Sequence, residues 1–201
     1  MCLTILTSPT SCTSLFTIAT LINPNTILFI MRYNKILDLL HSRGVHTVDL
    51  GLERIEKLLK KLGNPHKKLD VILVAGTNGK GSTAAMISSI LQEANFKVGV
   101  YSSPHLVRFT ERFKINKEEI LKKEIEALFE KIKPHLNDND GLTYFEIITA
   151  MAYLYFKEQG VDYAVMEVGM GGRLDATNVV DPIVSVITNV SLEHTQYLGK
   201  C

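Results

Sequence analysis

The stretch that decides the fold is Val71-Ile72-Leu73-Val74-Ala75-Gly76-Thr77-Asn78-Gly79-Lys80-Gly81-Ser82-Thr83. It opens with an apolar run of strand length, passes through a turn that no bulky residue can make, and leads into a helical pattern over Ala84 to Ala94. Strand, glycine-rich turn and helix in that order build a phosphate cradle. The glycines let backbone N–H groups converge on an anion, the helix start adds partial positive charge, and a lysine reaches the outer phosphates. The usual spacing G-x-x-x-x-G-K-[ST] is varied here. Its first glycine would fall at Val74, Gly81 follows Lys80, and the hydroxyls are displaced to Ser82 and Thr83. The alternative is an ordinary glycine-rich strand–helix turn. Lys80 and the hydroxyls stand where a nucleoside triphosphate and its magnesium need them, which favours the nucleotide site.

Outward from this loop, strands alternate with helices. Lys97 to Tyr101, Val161 to Val168 and Ile183 to Val190 read as strands; Thr143 to Phe156 reads as a broad apolar helix. The alternation predicts an α/β fold, a mostly parallel sheet with helices on both faces of the P-loop nucleotide-hydrolase type. In such sheets ligands sit beyond the carboxyl ends of the strands. The polar residues fall there each time: Gly76 to Lys80, Ser102-Ser103, Glu167, and His194 after the last strand. Upstream, amphipathic helices are expected over Tyr33 to His41 and Leu52 to Leu62. Asn116, with Glu119 three residues on, is expected to cap a charged helix running to about Lys133.

The 201 residues suffice for one buried domain. Net charge is +1, so no basic excess points to nucleic acid. Cys2, Cys12 and Cys201 lie outside the patterned region, which speaks against a disulfide framework and fits a reducing, cytoplasmic setting. Residues 1–31 contain no charged residue and no histidine. They lack the basic start of a secretory signal, and Asn23-Pro24-Asn25 interrupts the apolar run a membrane span needs. They are expected to be an unstructured or artefactual leader, with the domain proper at 32–201.

Spacing alone leaves the roles of individual polar residues open. Glu167 ends an otherwise apolar strand, where it serves either a magnesium ion or a salt bridge to Arg173. A lone His194 is more often structural, a lone Ser103 says little, and Arg108 with Arg112 either clamps an anion or decorates the surface. The second glycine turn, Gly169-Met170-Gly171-Gly172, is a loose match to a dinucleotide signature, and Lys80 favours a triphosphate instead.

Five motifs in order carry a resemblance. They are Thr47-Val48-Asp49-Leu50-Gly51-Leu52-Glu53-Arg54, Gly76 to Ser82, Tyr101-Ser102-Ser103-Pro104-His105-Leu106-Val107-Arg108, Glu167 to Asn178, and Leu192-Glu193-His194. From about Arg32 to Gly199 the chain resembles the amino-terminal half of the folylpolyglutamate synthase/dihydrofolate synthase family, within the Mur ligase superfamily. The resemblance implies an ATP-dependent amide ligase that joins glutamate to a dihydropteroate or folate carboxylate through an acyl phosphate. It places the phosphates on Gly76, Thr77, Asn78, Gly79, Lys80, Gly81 and Ser82. It assigns magnesium to Ser103, Glu167 and His194, with Lys80, Glu167 and His194 as the catalytic group. It assigns the pterin to Thr47, Val48, Asp49 and Leu50, to Thr143, Tyr144, Phe145 and Glu146, and to Leu174, Asp175 and Ala176. Phe145 is expected as a flat contact and Asp175 as an acceptor for the ring.

The form Arg173-Leu174-Asp175-Ala176 resembles members that also use dihydropteroate, which implies a bifunctional enzyme. Family members continue into a second α/β domain and carry a carbamylated lysine past the histidine motif, and Lys200 is too close to His194 to be that residue. The expectation is a fragment, binding nucleotide weakly and inactive alone, of a protein that is monomeric when full length. Its partners would be small molecules, with neither nucleic acid nor membrane. A Mur-type cell-wall ligase domain and a non-catalytic P-loop module are the competing readings.

Overall fold

The computed structural model describes residues 24–45, 47–137 and 139–199. Six strands form one sheet in the order β4-β3-β2-β5-β1-β6. These are β1 (Asp70–Ala75), β2 (Val98–Tyr101), β3 (Phe113–Ile115), β4 (Glu118–Glu119), β5 (Tyr163–Glu167) and β6 (Val184–Ile187). β2, β5, β1 and β6 run parallel, and β3 and β4 extend the β2 edge as antiparallel strands. The helices are α1 (Pro24–His41), α2 (Glu53–Lys61), α3 (Lys80–Glu93), α4 (Lys122–Ile132), α5 (Tyr144–Gln159) and the single-turn α6 (Thr195–Leu198).

Side chains alternate across the sheet, and this splits β1 between two cores. Val71 and Leu73 face the larger core with Tyr101, Met166 and the buried sides of α1, α2, α4 and α5. Ile72 and Val74 face the smaller one with Val98, Val100, Val165 and Ala84 of α3. Helices cover both faces, as the alternation predicts, but unequally. The larger core is dominated by α5, whose residues from Ile147 to Phe156 are all buried. Phe156 packs on β2 at Gly99, where a Cβ would lie 2.6 Å from the ring. Full burial of one such ring contributes about 1.5–3 kcal/mol.

Three expectations are corrected. First, α1 begins at Pro24, inside the stretch read as an unstructured leader; residues 1–23 lie outside the described residues, as do Lys200 and Cys201. Proline is suited to a helix start because its missing N–H is unpaired there in any case. Second, Asn116 does not cap a helix. It adopts φ 53° in the two-residue turn between Ile115 and Glu118, and its side chain accepts from the Val98 N–H at 3.0 Å. Asparagine tolerates the left-handed region, so the turn wins and the helix starts at Lys122. There the Glu124 carboxylate reaches back to the Leu121 N–H at 2.9 Å. Third, β6 is shorter than the Ile183 to Val190 run and is not covered, with Ile187 68% exposed. Among the described residues no helix is long and apolar enough to cross a membrane.

Candidate active site

The phosphate loop leaves β1 at Gly76 and enters α3 at Lys80. Gly76 has φ 131°, and a Cβ there would meet Thr188 Oγ1 at 2.1 Å and the Asn189 carbonyl at 2.9 Å. Gly79 caps α3 in the left-handed region, and no side chain caps the helix. First-turn N–H groups other than that of Gly81, which faces Glu167, therefore remain for an anion. Lys80 Nζ donates to the carbonyls of Gly76 at 2.7 Å and Thr77 at 3.1 Å, so its ammonium lies across the mouth of the loop.

The segment after β6 holds this loop in shape. The Thr77 N–H donates to the Asn189 carbonyl at 3.0 Å, and the Asn78 N–H donates to Asn189 Oδ1 at 2.9 Å. Thr188 Oγ1 donates to the Asn78 carbonyl at 2.7 Å, and the Ser191 N–H donates to Thr77 Oγ1 at 3.0 Å. Thr188, Asn189 and Ser191 are the residues that sequence reasoning missed. Their partners are more than a hundred positions away, and a local pattern carries no trace of such contacts.

Glu167 ends β5 beside this loop and is 6% exposed. Its Oε2 accepts the Ser103 N–H at 3.1 Å. A Cβ on Gly81 would sit 3.4 Å from the same oxygen, so the missing side chain there brings α3 against the carboxylate. Burial pushes the carboxyl above its usual range, opposed by the Ser103 N–H, the Lys80 charge, the Gly81 N–H and Arg112. Arg173 is exposed and takes no part. A buried carboxylate beside the Ser103 hydroxyl and a phosphate loop is a hard-oxygen donor set that suits magnesium. Among the described residues no hydrogen bond joins His194 to Glu167 or Ser103. His194 is exposed, with φ 47° at the start of α6, and lines neither cavity described below. Among the described residues no three His, Cys, Asp or Glu side chains cluster as a metal centre.

On the other side of Ser103 lies a cavity of about 220 Å³. Its walls contain all three segments assigned to the pterin: Thr47 to Leu50, Thr143 to Glu146, and Leu174 to Ala176. Phe145 packs against the chain at Gly169, where a Cβ would meet the ring at 2.6 Å. Asp175 is buried, which raises its carboxyl above the usual range. Its Oδ1 accepts from the Thr177 N–H and hydroxyl at 3.0 and 2.6 Å, and its Oδ2 from the Met170 N–H at 2.8 Å.

Glu146 lines this cavity and is also bonded within the protein. Its Oε2 accepts from the Thr143 N–H at 2.8 Å and the Thr143 hydroxyl at 2.9 Å, closing a capping box on α5. Its Oε1 takes Arg54 Nε at 3.1 Å, and Arg54 Nη1 also pairs with Asp49 at 2.9 Å. Both oxygens are thus occupied by protein donors, and the acid positions the Thr47–Leu50 wall through Arg54. A second cavity, of about 530 Å³, shares Ser103 and Pro104 with the first and opens along α3.

Fold and site together define a class: an α/β phosphate-loop domain with a cavity that shares Ser103 with the buried carboxylate beside its loop. The model of the Mur ligase middle domain matches residues 74–201, and the chain belongs to that family. It is 45% identical over 167 residues to the dihydrofolate synthase/folylpolyglutamate synthase of Bacillus subtilis, covering 80% of this chain and 39% of that protein. With the Escherichia coli enzyme of the same name it shares 48% over 163 residues, covering 81% and 38%. The chain thus spans about two fifths of the length of these relatives. Among solved structures, Escherichia coli FolC in complex with DHPP and ADP superimposes with a TM-score of 0.79 at 45% identity, over 84% of this chain and 41% of that one. The folylpolyglutamate synthase of Thermotoga maritima gives 0.75 at 48% identity, over 81% and 39%.

Proposed function

We propose that the chain is the nucleotide- and pterin-binding part of an ATP-dependent ligase that joins L-glutamate to dihydropteroate, and to folates, through an acyl phosphate. One observation carries the reading. The Ser103–Pro104 pair touches Glu167 beside the phosphate loop and also walls the cavity built from the three pterin segments. Two substrates bound on either side of Ser103 would meet there.

A carboxylate is a poor electrophile. Its oxygen attacks the terminal phosphorus of ATP, ADP leaves, and the resulting acyl phosphate is attacked at carbon by the glutamate amine, with loss of phosphate and a proton. The chain's share in the first step is positioning and charge neutralisation. Gly76 to Ser82 would hold the phosphates, and Lys80, released from its own carbonyls, would face the outer pair. Ser103 and Glu167 would hold magnesium, which screens the phosphate oxygens and draws charge toward the leaving group. Phe145 and the Leu174–Ala176 wall would seat the pterin ring. The Asp175 oxygens keep lone pairs for ring N–H groups beyond those given to Thr177 and Met170. The balanced charge and small cavity support small-molecule partners, and the placement of the three cysteines supports a cytoplasmic setting.

Dihydropteroate binding measured by dihydropterin fluorescence tests this reading. Saturable binding that UDP-sugars do not displace is expected. Displacement by a UDP-sugar would favour the cell-wall ligase reading. Binding of Mg·ATP without any pterin would leave a bare nucleotide module. With the carboxy-terminal segment of the Bacillus subtilis relative supplied, phosphate release should require both glutamate and dihydropteroate.

A further inference from the structure

Arg112 is the cation in the pterin cavity that no carboxylate neutralises. It is 5% exposed, and its backbone carbonyl accepts from the Ser102 N–H at 3.1 Å, which fixes it at the Ser103 end of the cavity. Nε donates to His105 Nδ1 at 2.8 Å, and the guanidinium carbon lies 5.7 Å above the Tyr144 ring. Among the described residues no acid lies within salt-bridge distance of it.

The acids around the cavity are committed elsewhere. Asp49 and Glu146 share Arg54, Asp175 bonds to Thr177 and Met170, and Glu167 bonds to Ser103. Arg108, the other half of the expected clamp, is exposed and bidentate to Glu119 at 2.7 and 3.3 Å. Only one of the two arginines is available.

A guanidinium offers five N–H donors in a fixed fork, and a single one is taken here by His105. Holding such a group out of water without a counter-charge is costly, and an anionic ligand arriving in the cavity removes that cost. His105 accepts through Nδ1 and is therefore neutral; burial and the Arg112 charge both lower its proton affinity. It fixes the plane of the guanidinium without cancelling its charge.

We propose that Arg112, oriented by His105, binds the carboxylate of the acid substrate and presents it at the Ser103 edge facing Lys80. The assignment rests on the pterin-ligase reading above and names the group that reads the acid end of that substrate. Arg112 would be a binding residue and His105 a positioning residue.

The test compares two dihydropterins that share the ring: 7,8-dihydropteroate, which carries the carboxylate, and 6-hydroxymethyl-7,8-dihydropterin, which does not. Binding is read by fluorescence for wild type, Arg112→Gln, Arg112→Lys and His105→Phe. Arg112→Gln should weaken dihydropteroate by about tenfold or more, the worth of a bidentate charge-assisted contact. Arg112→Lys should lose less, and His105→Phe should lose part. The ring-only ligand should stay within about twofold throughout, since it has no carboxylate for Arg112 to bind. Equal loss of both ligands would make Arg112 a structural residue and overturn the proposal, as would unchanged dihydropteroate binding. If Arg112→Gln melts below the assay temperature, Arg112→Lys and His105→Phe carry the same comparison. Wild type that binds neither dihydropterin overturns the pterin reading itself. Wild type that binds both ligands equally well overturns the Arg112 assignment alone.

Discussion

Gly76 holds a backbone angle and a clearance that only glycine can supply, because φ is 131° and Thr188 and Asn189 occupy the space of a Cβ. Gly76→Ala should therefore cost more than the ~0.4–1 kcal/mol by which the same exchange stabilises a permissive site, and in the opposite direction. It should also abolish the melting-temperature increase that Mg·ATP produces in wild type. Lys80→Ala leaves the loop's backbone contacts to Asn189 in place, so its own melting temperature should stay close to wild type while the Mg·ATP increase disappears. Differential scanning fluorimetry with and without nucleotide checks both.

His66 offers a pH test away from the site. It is 4% exposed against Tyr153, its Nδ1 has no partner, and burial lowers its proton affinity, aided by Lys67. With the folded pKa below the unfolded one, the unfolded chain binds more protons in that window, so this residue's contribution to stability falls as pH falls. His66→Phe removes the term. Its melting temperature relative to wild type should rise as pH is lowered from 7.5 to about 5.5, through the ordinary imidazole range.

At the scale of elements, α5 is both the spine of the larger core and a wall of the cavity, and its N-terminus joins the two roles. Thr143 and Glu146 close the capping box there, and Glu146 carries Arg54 and, through it, Asp49. Thr143→Ala should cost about 1 kcal/mol in urea unfolding, the usual worth of an N-cap hydroxyl. It should also weaken dihydropteroate binding, because the Thr47–Leu50 wall loses its anchor. This element was legible in the sequence as a long apolar helix starting at Thr143. The turn at Asn116 was not, since a Glu three residues after an Asn suits a capping box and a hairpin equally well. The choice fell to the ladder between β2 and β3, which the Asn116 side chain extends.

Across the whole molecule the stabilising burial is lopsided. Leu73 on β1 is 6% exposed, whereas Ile187 on β6 is 68% exposed. Leu73→Ala should cost about 2–5 kcal/mol, and Ile187→Ala should stay within about 0.5 kcal/mol, by chemical denaturation. Yet β6 carries Thr188 and Asn189 at its end and so shapes the phosphate loop. A strand that adds little to the core can thus be essential to the site.

The sequence by itself determined the α/β alternation, the phosphate loop, and the three segments that turned out to wall one cavity. The first two depend on local periods and turn chemistry, which neighbouring residues express directly; the three segments came from the resemblance to a known family. Only the tertiary structure decided which polar groups face one another. It set Gly81 and Ser103 against Glu167, left Arg173 exposed, spent Glu146 on Arg54, and separated a buried Arg112 from a surface Arg108. These pairings join residues tens of positions apart, and they are selected by packing and by the cost of leaving a charge unpaired, which no local pattern records.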